Sequence, residues 1–308
     1  MKKTFYSNGK LLITGEYLVL DGANAFALPT KLGQNLIIED GEKQKINWKS
    51  QDADGSIWFE DTILFSEITD YIPNETETVR NTLITILYQA YLKNNNFLTK
   101  DKGYNITTQL TFARKWGLGT SSTLINNIAQ WLDIDAFELL NTSFGGSGYD
   151  IACAKNNGPI IYHLEEGKPI IEKTTFNPEF TNQIYFVYLN KKQSSKTAIA
   201  NYNSNKHHNL DRNIAKNNQI TLEVLEATSV ENFRTAIEKH EARMSLILEN
   251  NTVKELLFSD FKGSIKSLGA WGGDFIMVVS NENPSTYFNA KGYETIFTFE
   301  ELILNSKS

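Results

Sequence analysis

The segment Trp116-Gly117-Leu118-Gly119-Thr120-Ser121-Ser122-Thr123 combines residue types that can hold a phosphate. Its glycines let backbone amides approach a ligand, and the residues after them open a helix whose positive end favours an anion. The hydroxyls of Thr120 and Ser121 can bind phosphate oxygens or a Mg2+ ion. The structural alternative is a glycine turn capped by Ser and Thr, a common use of short glycine motifs. The chain has no G-x-x-x-x-G-K-[ST] loop, which excludes the ordinary P-loop, and it lacks the H-R-D and D-F-G signatures of protein kinases. Two further segments carry charge beside glycine. Gly9-Lys10-Leu11-Leu12-Ile13-Thr14-Gly15-Glu16 puts a lysine at the start of an apolar strand, able to reach a phosphate or simply solvated at the strand end. Gly145-Gly146-Ser147-Gly148-Tyr149-Asp150 ends in a carboxylate that could serve catalysis or cap a helix.

The elements that must position these residues are legible from periodicity. Short strands are expected at Lys10–Thr14, Tyr17–Leu20, Asn35–Glu39, Lys45–Trp48 and Ile57–Glu60, punctuated by Gly, Asp and Asn turns. Val79, Leu83, Ile86, Leu87, Ala90 and Tyr91 recur at helical spacing within Thr76–Lys93, with Asn74 or Thr76 available as N-cap. Tyr104–Leu110 reads as a strand leading into the glycine turn, after which Leu124, Ile125, Ile128, Ala129 and Leu132 mark a helix. Strands follow at Ile160–His163 and Ile184–Leu189, with a polar bridge at Glu165–Phe180 in which a domain boundary is expected. Residues 208–258 are mainly helical, most clearly Val230–Leu248, and strands return near Asp274–Ser280 and Tyr293–Phe299. Grouped helices with antiparallel strands define an α+β protein.

Composition narrows the classes. The 308 residues, 41% hydrophobic and 21% charged with six prolines, suit a globular chain of about two domains and exclude a disordered one. Thirty Lys and Arg against 36 Asp and Glu give a net charge of −6, which speaks against nucleic acid as a partner. An anionic small-molecule substrate therefore needs a local positive patch, for which Arg114, Lys115, Lys191, Lys192 and Lys196 are candidates. The single cysteine, Cys153, excludes an internal disulfide and points to a reducing, cytoplasmic compartment. Glu16 interrupts the apolar run Leu11–Val19, and no stretch approaches about 18 apolar residues, so neither a signal peptide nor contact with a membrane is expected.

The three segments, taken in this order, resemble the GHMP kinases, the family named for galactokinase and the homoserine, mevalonate and phosphomevalonate kinases. Gly9–Pro29 is similar to the family's first motif and Lys115–Thr123 to its second, G-L-G-S-S-A. Ser267-Leu268-Gly269-Ala270-Trp271-Gly272-Gly273-Asp274 resembles the third, G-A-G-G-G. Within the family, Glu16–Leu20, Gly146–Asp150 and Gly272-Gly273-Asp274 look most like phosphomevalonate kinases, and Ser194-Ser195-Lys196-Thr197 is similar to their S-T-K substrate loop. Galactokinases would carry G-E-H-T-D-Y at Gly15–Leu18, and mevalonate kinases usually have histidine at Tyr17.

The resemblance implies a two-domain fold: an N-terminal, ribosomal protein S5 domain 2-like ATP-binding domain over 1–175 and a ferredoxin-like C-terminal domain over 176–308. It implies ATP and Mg2+ as cofactors, with Gly117, Leu118, Gly119, Thr120, Ser121 and Ser122 around the ATP phosphates and Ser121 on the metal. Lys10 and Asp150 take the catalytic roles, and Ser147, Gly148, Ser194, Ser195, Lys196, Gly272 and Gly273 bind the acceptor. The expected activity is transfer of the ATP γ-phosphate to phosphomevalonate or a related acid. Mevalonate, an alcohol acceptor, is the alternative, and a non-catalytic ligand-binding protein on the same fold is the alternative of another class. Trp271 replaces a family glycine, and a bulky residue adopts φ > 0 with difficulty, so a reshaped pocket is expected there. His240, on the apolar stripe of its helix, is expected to be a hydrogen-bonded core residue, and Cys153 a small buried hydrophobe.

Overall fold

A computed structural model describes residues 2–73, 78–193, 195–204 and 209–305, with the backbone alone at 195, 196 and 201. The chain divides into two units that interleave along the sequence. Met1–Gly9, Leu32–Arg114 and Leu118–Lys155 form the first, and Lys10–Lys31, Lys115–Gly117 and Asn156–Ser308 the second. The sequence alone suggests a single boundary, at 175.

Strands β1 (Lys2–Thr14) and β2 (Ala25–Asp40) belong partly to each unit. In the first, β2 pairs with β1 and with β5 (Tyr104–Leu110), β5 runs parallel to β3 (Lys45–Gln51), and β3 pairs with β4 (Ile57–Leu64). Alternation along these strands puts Leu36, Ile38, Ile46, Trp48, Ile63 and Ile106 on one face. There they join a core with residues of α1 (Phe65–Thr69), α2 (Val79–Lys93), α3 (Thr120–Leu132), α4 (Ala136–Ser143) and α5 (Tyr149–Lys155). Burying each such Leu or Ile side chain contributes about 1.5–3 kcal/mol. Thr78 caps α2 by accepting the Asn81 N–H at 3.1 Å, while Asn74 and Thr76, the expected caps, lie outside the described residues. Val79, expected on the apolar face, is exposed because it begins the first turn of the helix.

In the second unit, Ala25–Ala27 of β2 pairs with β6 (Ile160–Glu165), which pairs with β7 (Lys168–Lys173). Strand β7 lies inside the expected polar bridge. The hairpin turns on Glu166 and Gly167, both with positive φ, the signature of a tight two-residue loop. Charged ends and Pro169 hide this strand from a periodicity reading. A second sheet, ordered β11-β8-β10-β9, is antiparallel throughout: β8 (Ile184–Tyr188), β9 (Ser264–Ser267), β10 (Phe275–Val279) and β11 (Ile296–Thr298). Helices α6 (Ser195–Ser204), α7 (Leu210–Leu225), α8 (Val230–Leu248), α9 (Val253–Leu257), α10 (Ser285–Ala290) and α11 (Phe299–Leu302) complete this unit. Helix α8 has the bounds expected from sequence and buries Phe233, Ile237, His240, Met244 and Ile247 on one stripe. Both units mix sheet and helix as an α+β chain should.

Tyr17–Leu20, expected as a strand, is instead part of a tight turn, with a 3-10 helix over Leu18–Asp21. Gly15 at φ +93 and Tyr17 at φ +60 reverse the chain, and the Val19 N–H closes on the Gly15 carbonyl at 3.0 Å. The run is apolar because the turn is buried. Among the described residues no helix is long and apolar enough to cross a membrane.

Candidate active site

The second unit contains Lys10 of the first motif, Lys115–Gly117 of the second and the whole of the third. Lys10 lies within β1 rather than at its start, half-buried between buried neighbours, so it is not a solvated strand end. Gly117 has φ +72, and a Cβ there would press into the carboxylate of Asp274. Asp274 itself is 9% exposed and holds the left-handed conformation, φ +51. Its backbone N–H donates to the Lys191 carbonyl at 2.7 Å, its carbonyl accepts from the Leu189 N–H at 2.8 Å, and its Oδ1 accepts from the Gln193 N–H at 3.1 Å. Burial pushes the Asp274 carboxyl up, while the Gln193 N–H and the charges of Lys10 and Lys192 pull it back. At Gly273 a Cβ would meet Gln193 and the Lys191 carbonyl, so Asp274 and Gly273 together pin the loop that leads toward Ser194. Gly272 takes φ +87 beside the same glutamine.

Trp271 does not reshape this loop in the way its size suggests. The left-handed positions are Gly269, Gly272 and Asp274, and Trp271 is not one of them. Its ring is buried in an apolar cluster with Tyr17, Leu18, Tyr202, Met244 and Ile247. Its backbone N–H donates to the Tyr17 hydroxyl at 3.3 Å, and its carbonyl accepts from Gln193 Nε2 at 3.0 Å. Tyr17 stacks on Tyr202 at 5.5 Å, and burial pushes its phenol up to about 12.

Leu118 to Ser122 belong to the first unit, as do Ser147, Gly148 and Asp150. Gly119, at φ +100, occupies the N-cap of α3 and has no side chain with which to cap it. First-turn amides have no intrahelical acceptor, so those of Thr120, Ser121 and Ser122 are suited to an anion. Leu118 is fully buried and anchors the turn, Thr120 and Ser121 are half-buried, and Ser122 is buried. Thr123 Oγ1 donates to Gln34 Oε1 at 2.7 Å, tying the first turn of α3 to β2. Asp150 is the second residue of α5, so N-capping does not explain it; Gly148, buried at φ +91, occupies the preceding turn. Ser194 lies outside the described residues, and Ser195 and Lys196 are placed in α6 by backbone alone.

Of the expected cationic patch, Arg114 is engaged over the Trp58 ring at 4.6 Å, with its backbone N–H on Asp52. Lys115, Lys191 and Lys192 are exposed.

The second unit also contains charged residues that motif reading left aside. Glu16 and Lys266, both buried, form an ion pair, and Lys266 Nζ also donates to the Ser267 carbonyl at 2.8 Å. His240 Nε2 accepts the Gly15 N–H at 3.2 Å, and burial keeps this ring well below its ordinary range and therefore neutral. It is the hydrogen-bonded core histidine that its helical position suggested. Glu241, pushed up to about 7 by burial, accepts the N–H and Oγ–H of Ser267. The signal for this cluster was present in the sequence: a carboxylate interrupting an apolar run must find a buried partner.

No protein-family model matches the sequence, and no curated protein matches it. Solved structures match its shape. Mevalonate kinase from Methanococcus jannaschii aligns at TM-score 0.74 and 16% identity, over 96% of this chain and 97% of that one. Phosphomevalonate kinase from Streptococcus pneumoniae, in complex with phosphomevalonate and AMPPNP, aligns at 0.69 and 15%, over 94% and 95%. Galactokinase from Lactococcus lactis, complexed with galactose, aligns at 0.69 and 14%, over 99% and 94%. The class these define is the GHMP kinase fold. This chain has that fold over nearly its whole length.

Proposed function

We propose that this chain is an ATP-dependent small-molecule kinase that transfers the γ-phosphate to phosphomevalonate or a related small acid, with 1–175 as its ATP-binding portion. The observation that carries the reading is the meeting of Gly117 with Asp274, which itself lies in the field of Lys10: three separate motifs supply one charged corner. Phosphoryl transfer needs positioning and charge neutralisation more than covalent help. The amides of the Gly117–Ser122 turn bind the ATP phosphates, and Lys10 neutralises the group in transfer. Among the described residues no group of three or more His, Cys, Asp or Glu could hold a metal. Mg2+ suits such a site, because it keeps its waters and binds through phosphates with one or two protein oxygens, here the Ser121 hydroxyl. When bound, it supplies further neutralisation of phosphate charge.

Asp150 orients the acceptor. An alcohol acceptor also needs a base to remove its proton, whereas a phosphate, with its second pKa near ~6, is already mostly ionised. Phosphomevalonate is preferred because Gly146–Asp150 and Gly272–Asp274 look most like its kinases, and because a phosphomevalonate kinase is among the similar folds. The similarity to mevalonate kinase keeps mevalonate as the second reading. A binding protein without turnover is the reading of another class, and Trp271, outside the left-handed region, does not favour it. The test is ADP release from Mg-ATP with mevalonate, phosphomevalonate, homoserine and sugars. Turnover of phosphomevalonate supports the reading, turnover of mevalonate moves it to the second, and ATP binding with no turnover of any acceptor overturns it.

A further inference from the structure

The glycine turn, the loop at 190–193 and Lys10 have one residue in common. We propose that Asp274 is a positioning residue for phosphoryl transfer: its carboxylate seats Gly117 against the 190–193 loop and fixes the charge of Lys10 beside that seat. The inference rests on the kinase reading above.

Three facts carry it. The carboxylate fills the space over Gly117, so the turn accepts no side chain at that position and packs directly against Asp274. The same carboxylate accepts the Gln193 N–H, and the Asp274 backbone bonds Leu189 and Lys191, so the loop and the turn share a single support. Lys10 and Lys192 act electrostatically on a group that is almost fully buried. A buried acid beside a site for anionic phosphates opposes binding unless a cation balances it. A clip for the loop alone would be served by asparagine, which has the same shape, accepts the same N–H and tolerates left-handed backbone. The charge is required only toward the cation.

Asparagine and glycine at 274 separate these roles, since glycine keeps the backbone conformation and removes the support. In the full chain, Asp274→Asn should bind Mg-AMPPNP by calorimetry as the wild type does, while kcat falls about tenfold to a hundredfold with KM for ATP unchanged. Its loss should not multiply with that of Lys10→Met in the double variant. Asp274→Gly should also weaken Mg-AMPPNP binding about tenfold, with the thermal midpoint checked in each case. Wild-type kcat in Asp274→Asn, multiplying losses with Lys10→Met, or wild-type AMPPNP affinity in Asp274→Gly would each overturn the proposal. If the wild type turns over no acceptor, the kinase reading fails, and the AMPPNP comparison alone still decides whether Asp274 seats the turn.

Discussion

Lys266 and Glu16 form an ion pair that water scarcely reaches: the lysine is 0% exposed and the glutamate 1%. The pair fixes the turn that follows the Lys10 strand, since Glu16 stands between Gly15 and Tyr17, the two positions of positive φ. Removing one partner of a buried pair costs about 3–5 kcal/mol, because the other charge is left without compensation. Lys266→Met should be the worse single change, as it leaves both Glu16 and Glu241 without their cation. The double variant Glu16→Gln/Lys266→Met should recover most of that loss. Urea unfolding measures this, and single variants as stable as the wild type would refute it.

Gly117→Ala should sharply weaken nucleotide binding and also lower global stability. A left-handed alanine costs about 1–2 kcal/mol, and its Cβ also collides with the Asp274 carboxylate. The Mg-AMPPNP dissociation constant should rise more than about tenfold. Adding Asp274→Gly removes the collision but also the support of the turn, and it leaves the strain, so the affinity should not return. Calorimetry on both variants, with the thermal midpoint of each, separates loss of the seated turn from general misfolding.

Asp150→Asn should distinguish the two acceptor chemistries. An alcohol loses its base, and general base catalysis is worth about 10²–10⁴-fold, whereas an ionised phosphate loses only an orienting contact. Turnover of mevalonate should therefore vanish while turnover of phosphomevalonate is only weakened. Equal and complete loss on phosphomevalonate would contradict the assignment. Steady-state kinetics with both acceptors settles the matter.

Periodicity made α8 and the glycine-turn helix α3 legible, since each buries one stripe of a regular helix. It failed at Tyr17–Leu20, where burial is apolar on all sides and so cannot tell a strand from a tight turn. It failed again at β7, whose charged ends and proline resemble a linker. The motifs drew attention to Gly117 and Lys10 and included Asp274 without giving it a role, because the contact joining Asp274 to Gly117 spans 157 positions of sequence, from 117 to 274. Trp271 misled in the opposite direction, since a family glycine suggested a left-handed residue where the chain has none.

Glu241 is 4% exposed and its carboxyl is pushed up to about 7, chiefly by burial, with the Glu16 charge adding to the effect and Lys266 and Ser267 opposing it. An acid that titrates higher folded than unfolded holds its proton more tightly in the folded state. Its contribution is therefore fully present below the ordinary value of 4.5 and is lost as pH rises through about 7. The interval from 4.5 to 7 corresponds to at most about 3 kcal/mol. Glu16, also pushed up by burial, acts in the same direction, and His240, pushed down, in the opposite one, so the wild-type curve alone does not isolate Glu241. Glu241→Gln keeps an acceptor for Ser267 and cannot titrate. The difference in unfolding free energy between Glu241→Gln and wild type should grow in the variant's favour between pH 5 and 8, an interval chosen around about 7. A difference that stays constant across that interval would mean that Glu241 is ionised in the folded protein throughout, with Lys266 satisfying it as well as Glu16.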